Sequence, residues 1–299
     1  MKNLKSNLIL LSAALLWGFA LVAQSQGMNY VGPYTFNCVR FLLGALTLAP
    51  VAVLYERRRE PHEKTSKKNI HYLLIGGAFC GVALAFATNF QQIAILSTTT
   101  GKAGFITSLY IVMVPLLGLF LGHKTHINMW LGVAVAILGM YFLCLHETFR
   151  LSRADWLLLL CALFFALQIM CVDWFLPKVN PIWLSCLQAL VCSVISAVFM
   201  FVYESPTIDT ILSAHLPLLY AGVGSSGIAY TLQILGQKDN HPVMASLVMS
   251  LESVVSALAG WLILSHKLSL AEGVGCMLIF VAVLLTQIPI FQRKEKQNN

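Results

Sequence analysis

Residues 242–267 read PVMASLVMSLESVVSALAGWLILSHK, a run of membrane-spanning length that nevertheless carries Ser246, Ser250, Glu252, Ser253 and Ser256. Glu252 lies about ten residues in, so a helix rising about 1.5 Å per residue carries it about 15 Å deep, near the middle of a hydrocarbon core about 30 Å thick. A charged acid at that depth costs about 2.5 to 3.5 kcal/mol, and as a rule it faces a cavity, a partner or a pathway. The plainer reading is a neutral or hydrogen-bonded carboxyl that joins two helices. Either way, the stretch describes a polar interior inside an apolar bundle.

The stretch has a twin. Residues 118–124 (GLFLGHK) repeat as residues 261–267 (WLILSHK) at an offset of 143, and the same offset carries Gly132 onto Gly275. Earlier in each half, Pro33 to Cys38 matches Pro181 to Cys186 at an offset of 148, which also places Trp17 over Phe165. Two related halves follow, residues 1–146 and 147–299. Repetition of this kind marks many transporter folds, with the site where the repeats meet.

Composition agrees. Of 299 residues 58% are apolar and 10% charged, against about 25% charged in an average soluble domain. The net charge of +7 does not point to nucleic acid, because the basic residues sit in short loops and tails with no folded basic domain to form a groove. All eight cysteines fall in apolar segments without metal-ligand spacing, and read as small core residues. No nucleophile and base pair, phosphate-binding loop or metal cluster is present, so neither catalysis nor a cofactor is expected.

Ten helical spans are expected: Lys5 to Ala23, Pro33 to Tyr55, Ile70 to Ile95, Thr99 to Gly122, Ile127 to Leu145, Ala154 to Trp174, Pro181 to Tyr203, His215 to Gly236, Pro242 to Leu264 and Leu270 to Ile290. Helices are required because lipid cannot satisfy backbone polar groups. The first span resembles a signal peptide, but no small-x-small cleavage site follows it cleanly, so it is read as a retained helix. With the N-terminus inside, fourteen Lys and Arg fall on the cytoplasmic side, six of them in the loop from Glu56 to Asn69, and four fall outside. That asymmetry places both termini in the cytoplasm of a multi-pass protein of the plasma or inner membrane. Five spans per half then make the halves inverted.

Polar side chains recur on shared helix faces. Trp17 and Gln24 stand at i and i+7 on span one, Asn89 and Gln92 at i and i+3 on span three, and Thr107 and Tyr110 at the same spacing on span four above Pro115. Phe165 and Gln168 share a face of span six, Tyr230, Gln233 and Gln237 one of span eight, and Ser246, Ser250 and Ser253 one of span nine. One such residue is ordinary helix packing; aromatics and amides on several helices at similar depth could enclose a small polar organic molecule. Arg40, about seven residues into span two, has three readings: an anchor for the packing around it, a charge partner for Glu252, or a ligand for a substrate carboxylate.

Residues 15–20 (LLWGFA), 40–45 (RFLLGA), 101–110 (GKAGFITSLY) and 114–118 (VPLLG) resemble the EamA-type family of the drug/metabolite transporter superfamily. Residues 251–254 (LESV) are similar to that family's Leu-Glu-Pro-Val signature with Ser253 in place of its proline. Gly122-His123 and Ser265-His266 stand where the family often has Gly-Glu, so no role for those acids carries over. The resemblance covers essentially the whole chain and implies an all-α integral membrane protein of ten transmembrane helices, two inverted five-helix repeats (5+5) around a central cavity. It implies transport without naming a substrate.

The expectation is therefore a secondary transporter that moves a small polar metabolite, such as an amino acid or amine, by alternating access. Glu252 would couple protons or pair with a substrate cation. Its expected partners are that small molecule and membrane lipid, and a homodimer is compatible with the sequence. The competing classes are a non-transporting membrane subunit and a lipid-modifying enzyme.

Overall fold

The computed structural model describes residues 2–58, 67–122, 127–143, 152–264 and 269–287, and their regular structure is helical. His123-Lys124 and Ser265-His266-Lys267, much of the basic 56–69 loop and the C-terminal tail lie outside the described residues. Eight helical segments are long and apolar enough to cross a membrane, and two shorter apolar ones, Ile127–Phe142 and Leu270–Leu285, accompany them.

In chain order the helices are α1 (Lys2–Gly27), α2 (Pro33–Arg58), α3 (Lys67–Ile95), α4 (Thr100–Thr107), α5 (Tyr110–Phe120), α6 (Ile127–Leu143), α7 (Arg153–Phe175), α8 (Pro181–Tyr203), α9 (Ile208–Ser213), α10 (His215–Leu219), α11 (Tyr230–Gln237), α12 (Pro242–Met249), α13 (Leu251–Leu264) and α14 (Leu270–Gln287). The first span reaches Gly27, four residues beyond the expected Ala23.

The outside is apolar, and polar side chains are buried among the apolar ones of the interior. Phe79, Phe201, Leu216 and Met277 are exposed on the outside, whereas Asn37, Gln92, Gln168 and Gln188 are buried within. An apolar exterior of this extent is a surface for lipid.

Three departures from straight helices shape the interior. The fourth span is two pieces, α4 and α5, because the backbone at Ser108 and Leu109 tightens: Leu109 N–H donates to Ile106 O and Ile111 N–H to Ser108 O, three residues back rather than four. The ninth span breaks in the same way at Ser250, where Ser253 N–H donates to Ser250 O. The offset of 143 residues that aligns the halves carries Thr107 onto Ser250, so the two breaks are equivalent. In the eighth span Tyr220–Ala229 widens into a π-helix between α10 and α11, rich in Gly and Ser and packed on α2. Past the fourth span, Gly122 takes φ +78, a left-handed residue that stops α5 and that glycine adopts without a Cβ penalty.

The packing pairs follow the internal match. Helices α2 and α8, equivalent at the 148 offset, pack on one another, as do α6 and α14; α3 packs on α7, and the eighth span on α1. Close approach depends on small residues. A Cβ on Gly139 would stand 2.8 Å from Gly275 O, which holds α6 against α14, and one on Gly18 would stand 2.4 Å from the Val255 Cβ, which holds α1 against α13.

At the end where α1 joins α2, two ties cross between helices. The Glu204 carboxylate, just past α8, accepts from the Tyr34 and Thr35 backbone N–H groups at 2.9 and 2.8 Å and so caps the first turn of α2. Lys102 on α4 meets Asp155 on α7, which also completes a capping box with Ser152.

Candidate functional site

The breaks in the fourth and ninth spans border a narrow central cavity of about 30 Å³. Both halves of the chain line it. From the first come Trp17, Leu21, Gln24, Arg40, Gln91 and Tyr110; from the second Phe165, Gln168, Ile169, Ser225, Tyr230, Gln233, Met249 and Glu252.

Aromatic rings form much of the wall. Trp17 stands edge-on to Tyr230 with centroids 4.9 Å apart, Tyr230 meets Phe41 at 5.9 Å, and Tyr110 meets Phe165 at 6.4 Å. Trp17 and Phe165, equivalent in the internal match, thus face the same space from opposite halves.

The polar lining is only partly satisfied. Gln168 Nε2 donates to Gln188 Oε1 at 3.1 Å and Gln233 Nε2 to Gln168 Oε1 at 2.9 Å, a relay across α7, α8 and α11. Gln237 continues it to Ile169 O. Trp17 Nε1, Gln24 Oε1, Arg40 Nη2, Tyr110 Oη and Gln233 Oε1 are buried without a hydrogen-bond partner. Buried polar atoms are normally paired, so a cluster of unpaired ones around one space has the character of a binding site.

Glu252 lies in the first turn of α13, where the helix N-terminus favours a carboxylate. The hydroxyls of Tyr110 and Ser108 face its carboxyl, yet neither has a partner at hydrogen-bonding geometry. Arg40 is 1% exposed, lies over the Phe41 ring at 4.6 Å and donates from Nε to Asn37 Oδ1 at 2.8 Å. Among the described residues Arg40 and Glu252 form no ion pair; Lys102 and Asp155 do.

Nine of the twelve residues singled out from sequence line the cavity: Trp17, Gln24, Arg40, Tyr110, Phe165, Gln168, Tyr230, Gln233 and Glu252. Asn89, Gln92 and Ser250 stand off it. Asn89 is consumed by its neighbours, accepting from Asn37 Nδ2 at 2.9 Å and donating to Ala85 O and Ser196 Oγ. Gln92 donates to Gln24 O at 3.3 Å. Ser250 turns back onto its own helix and donates to Leu247 O, as Ser246, Ser253 and Ser256 do three residues back along the same stripe.

Gln91, one residue from the pair chosen on α3, reaches the cavity instead and donates to Thr107 Oγ1 at 3.2 Å. Ser225 enters from the π-helix, whose wider turn shifts the facing that a 3.6-residue period would assign. Leu21, Ile169 and Met249 carry no polar signal that could have marked them.

Comparison with known proteins agrees with this architecture. The EamA-like transporter family matches over residues 4–145 and again over residues 152–288. An uncharacterised transporter of Archaeoglobus fulgidus is 27% identical over 97% of this chain and 88% of its own length. The uncharacterised transporter YoaV of Bacillus subtilis is 22% identical over 95% and 97%. A solved crystal structure at 18% identity superposes with a TM-score of 0.75 over 94% of this chain and 96% of its own, a likeness of fold. With its two halves matched in turn, the chain belongs to the EamA-like transporter family of membrane transporters.

Proposed function

We propose that the protein is a secondary transporter that binds a small polar organic metabolite, of the amino acid or amine kind, between two inverted five-helix repeats and carries it by alternating access. The observation that carries this reading is the cavity itself. It is lined from both halves, lies beside equivalent helix breaks and presents unpartnered polar atoms among aromatic walls. Discontinuous helices at the repeat interface are where such carriers hold their substrates.

The two shorter apolar helices complete ten spans, five in residues 1–146 and five in 147–299, and the mutual packing of equivalent helices supports a two-fold relation between them. The unfilled space is narrow, as suits a state between substrate-loaded ones; movement of one repeat against the other would widen it. Glu252 serves in this reading as the proton-coupling or cation-pairing group, and the excess of basic residues in alternate loops supports a cell-membrane protein with both termini in the cytoplasm.

Reconstitution tests it. Proteoliposomes bearing the full chain should show counterflow of at least one compound from a panel of amino acids, amines and nucleosides above protein-free vesicles. Flux no greater than that of empty vesicles across the panel would sink the transporter reading.

A further inference from the structure

We infer that Arg40 is the anion-binding residue of the central site and that the transported molecule carries an acid group, a carboxylate, that docks on it. The inference rests on the transporter reading above and names which end of the substrate goes where.

Arg40 is the largest wholly buried side chain among the described residues, which offer its charge no acidic partner. A guanidinium kept in a bundle solely to hold helices together would pair there with an acid or with carbonyls. Arg40 is instead held from behind. Its Nε donates to Asn37 Oδ1 at 2.8 Å, Asn37 Nδ2 donates to Asn89 Oδ1 at 2.9 Å, and Asn89 Nδ2 donates to Ser196 Oγ at 3.0 Å. The Phe41 ring supports the guanidinium at 4.6 Å and Phe36 at 5.9 Å. These contacts fix the planar fork and leave Nη2 without a partner on the residue that lines the cavity.

A second unused donor, Trp17 Nε1, belongs to the same lining. Two preorganised donors, one of them charged, suit a carboxylate, which accepts several hydrogen bonds at once. An ammonium would meet a fixed positive charge there. Asn37 and Asn89 then act as positioning residues that aim Arg40 rather than touch substrate.

The test uses matched probes on the purified full chain: phenylalanine, phenylalaninol and 3-phenylpropanoate, then leucine, leucinol and 4-methylpentanoate. Each series keeps the side chain and removes first the acid, then the amine. The expected result is that acid-bearing members raise the melting temperature and the alcohols bind about 10- to 100-fold more weakly, the scale of a lost charge-assisted hydrogen bond. Arg40→Gln should remove the preference for the acids, and Arg40→Lys should restore only part of it, since a point charge replaces a planar fork.

Alcohols that bind as tightly as the acids, or no acid binding in either series, would overturn the inference, and the wild-type comparison decides this even if the Arg40 variants do not fold. Alcohols carried into proteoliposomes, with Arg40→Gln unimpaired, would leave a transporter standing and remove the assignment to Arg40 alone.

Discussion

The Lys102 ammonium lies 3.0 Å from each carboxylate oxygen of Asp155, tying the first turn of α4 to the first turn of α7 with both side chains largely buried. Asp155 also accepts from Ser152 N–H at 2.8 Å, so one carboxylate serves a helix cap and an interhelical bridge together. Sheltered pairs lose more on disruption than exposed ones, because the surviving charge is stranded. Asp155→Ala is expected to destabilise the purified protein by about 1–3 kcal/mol, and the Lys102→Ala/Asp155→Ala pair should cost less than the sum of the single changes. Strict additivity in thermal or denaturant melts would show that the two side chains do not act as a unit.

Gly18 packs its bare Cα face on Val255, where a Cβ would sit 2.4 Å from the valine Cβ. Neither backbone can yield without parting α1 from α13. Gly18→Ala should therefore cost about 1–3 kcal/mol from overpacking, read as a lower melting temperature and a lower yield of monodisperse protein. Wild-type stability in this variant would mean that the two helices are free to slide apart.

Trp17 has its ring edge-on to Tyr230 and its Nε1 unpartnered in the cavity wall. Trp17→Ala is expected to weaken substrate binding about tenfold or more while expression falls much less, since the ring lines the cavity and its Nε1 is left without a protein partner. Equal losses of binding and of folded yield would return Trp17 to ordinary packing.

Much of this architecture was legible because membrane burial enforces simple rules. An apolar run must be helical in lipid, and the described residues of these runs are helical; an acid within such a run must face inward, and Glu252 lines the cavity. Faces drawn through Trp17 and Gln24 or Phe165 and Gln168 border the cavity because α1 and α7 are regular there. On α3 the same reasoning points away from the cavity: Asn89 and Gln92 meet protein partners, and period alone does not distinguish a neighbouring helix from an open space. The serine stripe stands off the cavity for another reason, since a buried serine can satisfy itself on the carbonyl one turn back. The π-helix had no sequence signal beyond its Gly and Ser content, because a wider turn is set by what packs against it.

Orientation follows from the distribution of positive charge. Epitope tags at either terminus and within residues 56–69 should all be inaccessible to an impermeant reagent in intact cells and become reactive on permeabilisation. A tag in that loop that reacts from outside would reverse the assignment, and the proposed cytoplasmic termini with it.

Glu252 offers the sharpest test of mechanism. It lines the cavity at the head of α13, facing the hydroxyls of Tyr110 and Ser108, with no cation bonded to it among the described residues. Glu252→Gln keeps the shape and a hydrogen-bonding group but can neither carry charge nor release a proton. If the carboxyl couples protons, accumulation driven by a pH gradient should vanish in proteoliposomes while exchange of substrate across the membrane persists. If it pairs with a substrate ammonium, the variant should instead bind phenylalanine more weakly, no more tightly than it binds 3-phenylpropanoate. The two results separate because exchange needs binding but not net proton movement. A variant that transports with unchanged affinity and unchanged pH dependence would make the carboxyl structural, and coupling would then have to reside in another group.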